Sequence, residues 1–226
     1  MSAYFLKHHR FFKKRIDQIP YSIESTIAEI DTLFFKTYKW YEIYNFIEAC
    51  IEYFPFDEKK EDFIILLNDC LEIENSAYRV INYQITPITS EQEIQSIEQA
   101  IENTNPYSGV QQHLNQALKL MSDRQNPDYR NSIKESISAL EGICKIIANK
   151  ENAGFQETLA IIQNKYDLHK SLKEGFVKFY GYTSNGDGIR HAMLEESNLS
   201  YIDAKFMLVA CTNFINYLIE KTTDQN

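Results

Sequence analysis

Glycine and proline are scarce. The 226 residues contain seven glycines and five prolines, too few for a sandwich, a barrel or a glycine-rich phosphate fold. Cysteine is sparse as well. Cys50, Cys70, Cys144 and Cys211 are widely spaced in apolar surroundings, with no C-x-x-C, and read as reduced, buried core thiols. Long apolar runs are missing, the longest being Phe206 to Cys211, so no membrane association is expected. The N-terminus has no apolar stretch of secretory length, which points to a cytoplasmic chain. Positive charge is in deficit. Lys+Arg 23 against Asp+Glu 32 gives −9, which excludes a uniformly basic coat for nucleic acid but leaves room for a local patch.

What is abundant is buriable surface. Fifteen tyrosines and fourteen phenylalanines argue against disorder. Apolar residues recur at helical spacing along most of the chain, so the expected class is mainly α, a helical bundle preceded by a small helical unit with a short β-hairpin. Residues 1–19 read as a basic amphipathic helix carrying His8, His9 and several lysines among aromatics. Ser22 to Phe54 is helical with a break near Lys36–Lys39. Asp57 to Glu74 is a helix with Phe63, Leu66, Leu67 and Leu71 inward. The stretch 76–88 is β-branched and aromatic without acids, and reads as a hairpin turning at Asn82–Tyr83, with Pro87 confining the second strand to an edge. Ser90 and Glu93 have the spacing of a capping box.

The expected boundary separates a unit at 1–90 from a bundle at 91–226. Within the bundle, helices are expected at Ser108–Arg124, Phe155–Gln163, Lys170–Tyr180 and Tyr201–Lys221. Asn126 is expected to cap a further helix, with Pro127 in its first position. That helix has an apolar stripe at Ile133, Ile137, Leu140, Cys144 and Ile147. Tyr201–Lys221 is apolar on most faces in its middle and belongs at a bundle centre or in a dimer interface.

Chemistry is densest between the last two helices. Gly181 to His191 reads as a loop holding three of the seven glycines, and Glu195 and Glu196 follow shortly after it. It gathers Tyr182, Asn185, Asp187, Arg190 and His191. Imidazole exchanges protons near neutral pH, and guanidinium holds phosphate or its developing charge. The competing reading is structural pairing, His191 with Glu195 and Arg190 with an aspartate. Arg130, Lys134, Ser138 and Glu141 share one helix face that either lines a polar cleft or is simply solvated. No metal site is expected, since the histidines at 8, 9, 113, 169 and 191 show no H-x-x-x-H and no zinc spacing with cysteine. No phosphate loop of the usual kinds and no G-x-S-x-G is present, and no cofactor is expected.

Several phrases resemble bacterial abortive-infection proteins of the AbiJ-like group, whose C-terminal half is similar to a HEPN domain. They are Asn126 to Glu141, Tyr180 to Ser184 paired with Gly188 to Ala192, and Ala204 to Cys211. The resemblance is clearest over 107–222. It implies a HEPN-like bundle that dimerises, and a place in antiviral defence. It also implies one of two activities: a module binding RNA, a nucleotide or a defence-system partner, or a metal-independent endoribonuclease using the 2′-hydroxyl as nucleophile. A structural dimerisation protein is the third reading. The family signature is Arg, four to six residues, then His. Here no arginine has a histidine at that distance, and Arg190 and His191 are adjacent. The resemblance therefore makes His191 and Arg190 the catalytic candidates, with Tyr182, Asn185, Asp187, Arg130 and Lys134 as substrate-binding candidates.

Overall fold

The computed structural model describes residues 15–18, 22–52, 54, 57–88, 90–185 and 199–223. The described chain is mainly helical with one two-stranded sheet. It divides into two compact units, Met1–Ile85 and Thr86–Asn226.

In the first unit, Ser22 adopts an extended conformation and its hydroxyl accepts the Ser25 N–H, which starts α1 (Ile23–Thr32). The backbone then widens into a π turn at Leu33–Thr37 and breaks where Tyr38 becomes extended, at the break expected from the sequence. Helix α2 (Trp40–Glu52) and α3 (Asp57–Ile73) follow, then β1 (Arg79–Ile81) and β2 (Gln84–Thr86). Ile51, Val80 and Ile85 are buried together, with Tyr44, Ile47, Phe63 and Leu67 packed around them. Leu66, expected inward, is instead 60% exposed. Phe63 to Leu67 is an unbroken apolar run, and a helix turning 100° per residue cannot bury all of it on one side.

The hairpin turns at Asn82 and Tyr83, both left-handed with φ of 45° and 67°. This is the two-residue geometry whose twist matches paired strands, built here without glycine. The Tyr83 hydroxyl donates to Glu61 Oε1 at 2.9 Å, and the Lys60 ammonium lies 5.0 Å above the ring. Side chains also close the sheet edges. The Asn68 amide pairs with both the N–H and the carbonyl of Val80, and Glu48 Oε1 accepts the Ile85 N–H. Open backbone groups that would invite another strand are thereby satisfied.

The second unit holds α4 (Glu91–Asn103), α5 (Ser108–Ser122), α6 (Tyr129–Ala148), α7 (Phe155–Tyr166), α8 (Lys170–Asn185) and α9 (Tyr201–Thr223). Ser90 caps α4 as expected, its hydroxyl accepting the Glu93 N–H. The cap of α6 is Asp128 rather than Asn126, and Pro127 lies outside the helix. Asp123 already holds the N–H groups of Gln125 and Asn126, and the Asp128 N–H bonds to the Leu120 carbonyl. The turn is spent on closing α5, so α6 begins two residues later.

Helix α6 is the spine of this unit. Ile133, Ile137, Leu140, Ile143 and Cys144 are fully buried on its stripe, and Ile147 is half-buried. Gly142 lets α5 approach, for a Cβ there would sit 3.1 Å from Val110 Cγ2. Helix α9 buries Met207, Leu208, Cys211 and Ile215, yet Ile202 and Phe206 are 72% and 60% exposed. By length and composition α9 would reach across a bilayer, but half of that window is buried inside the fold. Of the four cysteines, Cys144 and Cys211 are buried. Cys50 is half-buried and Cys70 exposed, which corrects the expectation for that last thiol.

Candidate functional site

Three features meet in the second unit. The first is a polar seam between α4 and α9. Lys205 Nζ contacts both carboxylate oxygens of Glu93 at 2.9 Å, the Ser96 and Thr212 hydroxyls are 3.3 Å apart, and Asn216 donates to the Ser96 carbonyl while accepting from Asn103. It fixes α9 against α4. Tyr201 reinforces it by donating to the Pro87 carbonyl.

The second is the junction of α6 and α8. The Tyr180 hydroxyl donates to the Glu141 carboxylate, and its ring stacks on Phe155 at 4.4 Å. Two residues on, Tyr182 is 50% exposed, and the buried Thr183 hydroxyl donates to the Tyr180 carbonyl. Gly181 to Asn185 therefore continues α8 instead of opening a loop, so Tyr182 and Asn185 stand on a helix. Glu141 is the member of the predicted α6 polar face that reaches this junction. Arg130 and Lys134 sit on the same helix, about 16 and 10 Å away along its axis. Lys134 is exposed and Arg130 half-buried. Asp187, Arg190 and His191, with Glu195 and Glu196, lie outside the described residues, as do His8 and His9.

The third is a groove of about 530 Å³ between α8 and α9, which the sequence reading missed. Its walls are Phe176, Phe179, Phe206 and Tyr217, with Gly175 and Ala210 among its lining. Phe176 and Phe214 stack at 3.2 Å between centroids, and Phe179 meets Phe206 edge-on at 6.1 Å. The signal was present as Leu172, Phe176, Phe179 and Tyr182, a row at helical spacing along α8.

Among the described residues no group of His, Cys, Asp or Glu is arranged to hold a metal ion. Burial pushes the Cys144 and Cys211 thiols up, which keeps them protonated and poor nucleophiles. At the start of α9, Ser200 donates from its hydroxyl and its N–H to Asp203 Oδ2, at 2.6 and 2.8 Å, and holds that carboxyl below its ordinary value. A carboxylate depressed on folding contributes stability above its unfolded value of about 3.9, and that stability is lost as pH falls through the lower folded value. Asp203→Asn is thus expected to lower the melting temperature at neutral pH. The gap to the parent should narrow progressively as pH falls below the unfolded value of about 3.9, as thermal melts across a pH series would show.

The fold and site together define a mainly helical two-unit protein with an aromatic groove and a polar seam beside its last helix. Residues 3–103 match the family model AbiJ N-terminal domain 4, so the N-terminal part of the chain is similar to that domain. That match extends through α4, which packs within the second unit. No curated protein and no solved structure matches the chain.

Proposed function

We propose that this chain is a phage-defence protein of the abortive-infection type, and that its C-terminal bundle is a HEPN-like module binding RNA, a nucleotide or a partner protein. The observation that carries the defence reading is the AbiJ N-terminal domain match over residues 3–103. The binding reading is favoured over catalysis because Arg190 and His191 are adjacent, whereas the signature separates the two residues by four to six others. Helical surfaces rich in exposed aromatics beside polar groups suit recognition.

Expression in a phage-sensitive bacterial host should reduce plaque formation, and the Arg190→Ala/His191→Ala double variant should lose that protection. Equal plaque numbers with and without the parent protein would remove the defence reading. The ribonuclease alternative makes a separate prediction. RNA would be cleaved in the presence of EDTA to leave a 2′,3′-cyclic phosphate, the 2′-oxygen attacking phosphorus while the 5′-oxygen leaves. His191 would move the proton and Arg190 steady the phosphorane charge. Undiminished cleavage by His191→Ala would dismiss that mechanism.

A further inference from the structure

We infer that the outward face of α3 is a docking surface for a basic amphipathic helix of a partner protein. This surface belongs to the first unit and goes beyond the role proposed for the C-terminal bundle. Helix α3 is apolar on two sides. Its inner side sends Phe63, Ile64, Leu67 and Leu71 against Ile51, Val80 and Ile85. A helix that serves only to cover that core needs no second apolar side.

The outer side carries one nonetheless. Ile65 and Leu66 are each 60% exposed, Ile73 is 75% exposed, and Cys70 is exposed with them. At 3.6 residues per turn these four side chains fall within a sector of about 140°, turned away from the core. A lone exposed isoleucine is ordinary, but three large aliphatic side chains on one side of a 17-residue helix form a patch.

Charge selects the occupant. Asp62 and Asp69 fall within the same sector, and Glu72 and Glu74 border it. All four carboxylates are exposed, and among the described residues none of them forms an ion pair. The cations of α3, Lys59 and Lys60, are confined to its first turn, and Lys60 is engaged over the Tyr83 ring. An apolar stripe flanked by carboxylates is the complement of a helix with aliphatic residues on one side and lysine or arginine beside them. A second copy of α3 would bring Asp62 and Asp69 against like charges. The phosphates of nucleic acid or of a lipid surface would meet the same repulsion. An uncharged apolar partner would desolvate Asp62 and Asp69 without compensation.

The test is fluorescence anisotropy of the full chain with a labelled peptide of about 17 residues, leucine at i, i+3, i+4 and i+7 and lysine elsewhere. The same peptide with glutamate in place of lysine should bind at least about tenfold more weakly. Leu66→Ala/Ile73→Ala is expected to weaken binding of the lysine peptide roughly 20-fold or more, with the melting temperature unchanged because both side chains are exposed. Asp62→Asn/Asp69→Asn should weaken it about fivefold and flatten its salt dependence. Glu102→Gln/Glu151→Gln makes the same charge change at exposed positions of the second unit and should bind like the parent. An equal loss in that pair would reduce the binding to general attraction by an acidic chain and overturn the assignment. Parent-like binding by Leu66→Ala/Ile73→Ala would overturn it as well. A parent that sediments as a dimer and becomes a monomer with Leu66→Ala/Ile73→Ala would give the face to a second copy and overturn it. Tighter peptide binding by Lys13→Gln/Lys14→Gln would give it to the chain's own basic N-terminal segment, with the same consequence.

Discussion

A chain starting at Thr104 is expected to show no cooperative thermal transition, whereas one starting at Thr86 should keep it. The AbiJ match ends at residue 103 and would suggest cutting there. Helix α4, however, buries Ile97, Ala100 and Ile101 in the second unit. Each buried isoleucine stabilises by about 2 kcal/mol. Removal of α4 also strands Asn216, which is buried and bonded to Ser96 and Asn103, and leaves Lys205 without Glu93. A buried polar group that loses its partner costs about 1–3 kcal/mol. Together these losses approach the whole stability of an ordinary domain, about 5–15 kcal/mol. Circular dichroism melts of the two truncations would decide the point. A sharp transition in the chain starting at Thr104 would show that α4 is dispensable.

The second large effect is expected at Leu140. It lies on the α6 stripe with no solvent exposure, so Leu140→Ala leaves a void that the neighbouring side chains only partly fill. The expected loss is about 2–5 kcal/mol. Ile146 on the same helix is 43% exposed, and Ile146→Ala should change stability by less than about 1 kcal/mol. Urea unfolding of both variants separates burial from helix propensity, because the substituted residue is alanine in each. Equal losses at the two positions would contradict the assignment of the buried face.

Much of this architecture could be read from local pattern. Ile133, Ile137, Leu140 and Cys144 repeat at helical spacing, and Ser90 precedes Glu93 at capping distance, so each rule acts within a few residues. The hairpin was equally visible at Asn82–Tyr83, where β-branched residues flank a polar step. Misreadings arose where distant contacts decided. Asn126 and Asp128 are both good caps, and the choice fell to Asp128 because Leu120, across the turn, takes its N–H. Gly181 looked like a helix stop, yet Tyr180 bound to Glu141 and the buried Thr183 carry α8 past it. Of the candidate site, Tyr182 is a half-exposed residue on a helix, and Arg130 and Lys134 lie on α6. The groove went unread because its two walls are separated in sequence by the segment that drew attention for its polar residues.

The Asn82–Tyr83 turn has a bearing on the order of folding. Left-handed backbone at two successive non-glycine residues is disfavoured in an isolated peptide, so the strands gain little from closing on their own. The contacts that hold Tyr83 come from Glu61 and Lys60, and those that satisfy the outer backbone groups come from Asn68 and Glu48. Both helices must therefore be in place before the ribbon becomes worth forming. Strand pairing in this unit is therefore expected to come late, completing a helical scaffold, and amide exchange in the ribbon should rise as soon as that scaffold loosens.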